Sequence, residues 1–229
     1  MKHKILAINY PTEQNGVDHF DFYKSPSFTD YDAIIIDPED FDLWVKSENV
    51  TKYTDGPIWA YSSSDNGFSK DLHKIMSQRA QEIADLLTKT KGIVICFLRE
   101  TGSVLRCALS VSSTGNATRI HKYSWIPKLD IYGPHPLNPD RKKVVYAFSP
   151  PAFEWEERRS GKEIGNVNKG HPFSRYFEAL RDRIVYERIF SDADLIKFAK
   201  PIAKDKVGAL ISFEMLYGEG RFIFLPPPN

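Results

Sequence analysis

The residues that could do chemistry in this 229-residue chain are few and dispersed. The best placed are Arg99, Glu100, Thr101 and Gly102, which follow directly on the apolar run Ile93-Val94-Ile95-Cys96-Phe97-Leu98. Ligands of open α/β sheets bind outside the carboxyl ends of strands. A guanidinium, a carboxylate and a hydroxyl at such an end therefore form a candidate ligand-binding group, and Arg99 and Glu100 double as catalytic candidates. The alternative for the same four residues is a strand-ending turn with a surface ion pair. His171, followed by Pro172, is the third catalytic candidate, as a base, or else it supports the first turn of a helix. A hydrolase or ligand-binding site would gather Arg99, Glu100 and either His171 or Glu214 around one pocket.

Two cysteines occur, Cys96 and Cys107. A nucleophilic thiol needs exposure and a nearby base or positive helix end. Cys96 lies between Ile95 and Phe97 inside an apolar run and reads as a packing group, and Cys107 sits in the alternating pattern Arg-Cys-Ala-Leu-Ser. Two cysteines cannot supply the four ligands of a structural zinc site. Glu154, Glu156 and Glu157, interleaved with Phe153 and Trp155, and Asp37 with Glu39 further upstream are candidate carboxylates for a divalent ion. No His pair at i, i+4 and no Asp-x-Asp spacing accompanies the glutamates, so no metal is expected. Gly-x-Gly-x-x-Gly, Walker and Gly-x-Ser-x-Gly motifs are missing, which removes the commoner nucleotide and hydrolase readings, and no cofactor is expected.

Lys and Arg number 31 against 30 Asp and Glu, so no global field drives the surface onto nucleic acid or acidic membrane. Locally the balance differs. Between Arg99 and Lys143 there are eight Lys or Arg (99, 106, 119, 122, 128, 141, 142, 143) against three acids (100, 130, 140), with Tyr123, Trp125 and Tyr132 among them. Such a segment contacts phosphates and stacks bases, or else is an ordinary solvated excursion with its aromatics folded inward. The apolar runs fall far below the roughly 20 residues of a membrane span, and the start MKHKILAINYP is too short in apolar residues for a signal peptide. A reducing cytoplasmic setting, a protein or small-ligand partner and no membrane contact are the expectations.

The elements that must position these residues follow from periodicity. Ile5 to Ile8, Ala33 to Ile36 and Ile93 to Leu98 are short, β-branched, and read as buried parallel strands, with part of Val207 to Phe213 beside them. Residues 69 to about 90 place Leu72, Ile75, Met76, Ile83, Leu86 and Leu87 at helical spacing, with Ser69 as candidate N-cap and Gly92 past a Lys-rich end. A strand, this helix and the next strand make a βαβ crossover. Residues 101 to about 170 read as an insertion of short strands and long loops inside one domain spanning 1–229. Pro172 opens a second helix with Phe173, Tyr176, Phe177 and Leu180 on one face. Ile184 to Phe190, Val207 to Phe213 and Arg221 to Leu225 return to sheet, the last two joined across Tyr217-Gly218-Glu219-Gly220 as a hairpin at or near one side of the sheet.

The segments YDAIIIDP (31–38), RAQEIADLLTKTKGIVICFL (79–98) and VGALISFEMLYGEGRFIFLPPP (207–228) resemble the class I glutamine amidotransferase-like superfamily, in its divergent members. The resemblance covers about half of the chain. It implies a three-layer, flavodoxin-like, mostly parallel α/β sheet flanked by helices and closed by a late C-terminal hairpin. Active members of that superfamily carry a Cys in a Gly-x-Cys-x-Gly elbow and a His-Pro-Glu segment. Here Cys96 has no flanking glycine, and His135-Pro136-Leu137 and His171-Pro172-Phe173 have an apolar residue in place of the Glu. The resemblance therefore implies a non-catalytic binding or scaffolding domain, with a rebuilt hydrolase or transferase site and a nucleic-acid-binding module as the alternatives.

Overall fold

The computed structural model describes residues 3–10, 12–38, 51–55, 58–63, 67–100, 103–108, 117–121, 123–135, 138–149, 159–180, 183–217 and 219–228. Its main body is an eight-stranded sheet. Five strands run parallel in the order β2 (Val17–Phe20), β1 (Ile5–Ile8), β3 (Ala33–Ile36), β6 (Ile93–Phe97) and β14 (Gly220–Leu225). The sheet then continues antiparallel through β13 (Leu210–Tyr217), β12 (Lys200–Asp205) and β11 (Ile164–Val167). A second sheet has the order β4 (Thr51–Asp55), β5 (Ile58–Ser63), β7 (Ser103–Ala108) and β8 (Ala117–His121), and β9 (Leu129–His135) pairs with β10 (Asn138–Phe148).

This corrects the expectation of a mostly parallel, flavodoxin-like sheet in three layers. The large sheet is mixed, antiparallel through β14, β13, β12 and β11, and the described residues hold three α-helices: α1 (Gly67–Lys89), α2 (Ser174–Ala179) and α3 (Ala193–Phe198). The neighbouring parallel strands β1, β3 and β6 are as expected, with Ile5, Ala33 and Ile93 in register. β13 is not their parallel companion. It is buried on both faces, and a continuous apolar run reports that coverage, not the direction of the strand. The β13–β14 hairpin forms, with Phe213 opposite Phe224, but in the middle of the sheet, because β14 pairs on its other edge with β6. Ile184 to Phe190 makes single bridges and no strand.

α1 packs one face of the sheet, burying Leu72, Met76, Ile83, Leu86 and Leu87 in a cluster with Ile34, Val94, Phe222 and Phe224. It begins at Gly67, so Ser69 lies inside it and not at its cap. At its other end Lys91 takes the left-handed conformation (φ 58°), and the Gly92 N–H returns to Leu86 O at 3.0 Å. Gly92 is needed for space instead: a Cβ there would stand 2.5 Å from the Leu86 side chain. The opposite face carries a second cluster of Phe97, Ile211, Ile223 and Leu225 under Phe177 of α2 and the chain at Ile184 to Ile189. No helix among the described residues is long and apolar enough to cross a membrane.

Candidate functional site

The chain order of the parallel strands reverses at β1, whose two neighbours are β2 and β3. In open sheets a crevice forms at the carboxyl ends where this reversal occurs. Three chain segments meet there: Asn9 and Tyr10 after β1, Asp37 after β3, and Arg99 after β6. Asn9 holds a left-handed conformation (φ 53°), tolerable for Asn, and its Oδ1 accepts from the Phe22 N–H at 3.1 Å.

Arg99 ties the ends together. Its Nε and Nη2 donate to Asp37 Oδ1 and Oδ2 at 3.1 and 2.8 Å, a two-pronged pairing that fixes the plane of both groups. Its Nη1 donates to Glu187 Oε1 at 3.1 Å, and the other Glu187 oxygen accepts from the Glu100 N–H at 2.7 Å. The backbone is pinned as well. The Arg99 N–H donates to the Tyr123 hydroxyl at 2.8 Å, and that hydroxyl donates to Arg99 O at 2.6 Å. Tyr123 is fully buried, and burial drives its phenol well above the ordinary tyrosine range. The pair is largely withdrawn from water, the Arg99 and Asp37 side chains being 18% and 7% exposed.

Two tyrosines stand near these strand ends. The Tyr10 ring lies 5.2 Å from that of Phe97. Tyr176 of α2 donates to Pro226 O at 2.6 Å, beyond the end of β14. Burial first, then the neighbouring Tyr10, pushes the Tyr176 phenol far up, with Arg99 pulling the other way. Cys96 lies beneath, fully buried, its Sγ 3.4 Å from Phe97 O. Burial, and secondarily the Asp37 charge, raises its thiol well above the usual range, so a thiolate there is disfavoured.

His171 belongs elsewhere. Its Nδ1 accepts from the Phe173 N–H at 3.2 Å, so Nε2 carries the proton and donates to Glu214 at 2.5 Å, with both side chains at most 2% exposed. This supports the turn leading into α2 and anchors it on β13. Glu214 faces Ile223, and Ile223 is in register with Ile95, so Glu214 lies about 16 Å from Arg99 by strand spacing. The four residues expected around one pocket thus fall into two groups, Arg99 with Glu100 and His171 with Glu214.

Thr101, Gly102, Glu39, Glu154, Glu156 and Glu157 lie outside the described residues. Among the described residues no group of three or more His, Cys, Asp or Glu could hold a metal ion. Glu187, Tyr123, Tyr10 and Tyr176 are the site residues that sequence reasoning missed. Glu187 stands 88 positions from Arg99, and no spacing rule reaches that far. Asp37 was legible through its place at a strand end. No family model, curated protein or solved structure matches this chain.

Proposed function

We propose that this chain is a binding or scaffolding domain whose site is the crevice outside the carboxyl ends of β1, β3 and β6, and that it does not work by glutamine amidotransferase chemistry. Descent from that superfamily with loss of the triad is part of the same proposal, and it rests on segments 31–38, 79–98 and 207–228 of the sequence. The observation that carries the reading is the Arg99 clamp. A guanidinium held by two carboxylates is a fixed strut between three chain segments, and it positions the crevice rim. The neighbouring thiol of Cys96 lies under that frame with its ionisation suppressed. A ligand or a partner's loop entering there would meet the rings and hydroxyls of Tyr10 and Tyr176. A reducing, cytoplasmic setting agrees with the free, buried Cys96.

The test is a thermal-shift screen of small metabolites against the wild-type chain and Tyr10→Ala, with glutamine hydrolysis measured in parallel. The proposal expects a stabilising ligand whose effect Tyr10→Ala removes, and no glutamine turnover. Glutamine hydrolysis lost on Cys96→Ser would overturn it.

A further inference from the structure

The sheet has two outer strands among the described residues, and they are built differently. β2 carries the exposed Asp18 beside His19, and a charge on an edge strand discourages edge-to-edge pairing. β11 reads Ile-Gly-Asn-Val, with no charge and no proline. It is pressed tightly onto β12: a Cβ at Gly165 would stand 2.3 Å from Asp205 O, so only glycine permits the approach. Asn168 N–H continues the pairing to Ile202 O at 2.8 Å. Inward and outward groups alternate along an antiparallel edge, so the N–H of Val167 points away from β12, toward the open side.

Two grooves run along this edge. One, of about 410 Å3, is lined by Ile164, Val167 and Phe177 with Lys169 and Glu178 at its rim. The other, of about 450 Å3, is lined by Asn166, Asn168, Lys169 and Lys204 beside Pro201 and Ile202. The first suits an apolar side chain and the second a carboxylate. Lys162, Lys169 and Lys204 make no ion pair among the described residues, whereas Lys206 is matched by Glu163 at 2.7 Å. Among the described residues the edge therefore sets these three lysines against Glu178, a net positive charge, beside a strand that carries no charge or proline of its own and is irregular only between Ile164 and Asn166.

We infer that β11 is a docking edge for an extended acidic segment of a partner protein, which adds as a further strand while its alternate side chains enter the two grooves. Strand addition of this kind takes affinity from main-chain hydrogen bonds and selectivity from the side-chain pockets. The edge lies four strands from β6, and α2 is common to both places: it sets Tyr176 beside the crevice and Phe177 in the first groove.

The experiment uses the full chain and a fluorescently labelled hexapeptide of alternating Val and Glu, read by anisotropy. Saturable binding is expected, weakening about tenfold or more between low and high salt as screening removes the lysine contribution. Lys169→Glu with Lys204→Glu, both surface changes whose folding is checked by circular dichroism, should weaken it by a similar factor. A Val-Lys peptide should not bind. N-methylation of alternate peptide nitrogens, which keeps every charge and removes the main-chain donors, should abolish binding in one phase of the alternation and spare the other. Equal binding of both N-methylated peptides, or no saturable binding of the Val-Glu peptide at all, would overturn the inference.

Discussion

Replacing Arg99 by Met tests the frame of the site most severely. The substitution keeps most of the side-chain volume and removes the guanidinium. It leaves Asp37, whose side chain is 7% exposed, without its two-pronged partner, and it releases Glu187, which is 25% exposed. Removing one member of a buried pair costs about 3–5 kcal/mol because the remaining charge loses a group that offset its desolvation. The partial exposure of Arg99 and Glu187 lets water repay some of this, which places the expected loss near the low end, about 3 kcal/mol. In a chain of this size that corresponds to roughly 6–12 °C in melting temperature. Urea unfolding with unchanged m measures it directly. Asp37→Asn and the double variant complete a cycle, and the double variant should be about 2 kcal/mol more stable than additivity predicts, since the two groups interact directly. A loss under about 1 kcal/mol for Arg99→Met, with additive behaviour in the cycle, would mean that the pairing is an ordinary surface contact.

Gly220→Ala should destabilise by about 2–3 kcal/mol in urea unfolding, because its Cβ would stand 2.4 Å from Leu87 O and backbone, unlike a side chain, cannot step aside. Burial, then the hydrogen bond to Asp18, raises the Tyr31 phenol to about 12. Its unfolded value is near 10, so its contribution to stability is whole below about pH 10 and is lost as pH rises from there toward 12. Urea midpoints at pH 9, 10 and 11 should therefore fall, and fall less steeply in Tyr31→Phe. Cys96→Ser should cost about 1–3 kcal/mol by placing a hydroxyl in an apolar core, and should leave the affinity of any crevice ligand unchanged.

Burial was legible from sequence where direction was not. The runs of β1, β3 and β6 and the periodicity of α1 are written in local residue order, and each element stands where its pattern puts it. β13 misled because a strand covered on both faces has the same apolar run whether its neighbours are parallel or antiparallel. The hairpin was readable from its glycines, yet its place in the middle of the sheet depends on β14 pairing with β6, from which it is far removed in the chain. The strands β4 and β5 were missed, although the Gly56-Pro57 pair between them is a turn signal in the sequence. Arg79 was hidden for a different reason. It lies on the buried side of α1 at 4% exposure, donating to Ser25 O, Pro26 O and Glu82, and its partners are set by the chain folding back at residues 22–28. At the site, Arg99 was found by its position after a strand. Glu187 and Tyr176 come from segments that reach the crevice only through tertiary packing.

Alkylation of Cys96 in the native chain, followed site by site with iodoacetamide and mass spectrometry alongside a glutamine hydrolysis assay, addresses the central claim most directly. A binding frame over a buried, protonated thiol predicts labelling at this position that proceeds only as fast as the protein unfolds, accelerates in urea, and accompanies no glutamine turnover. Rapid labelling of the folded chain, together with glutamine hydrolysis that Cys96→Ser abolishes, would contradict it.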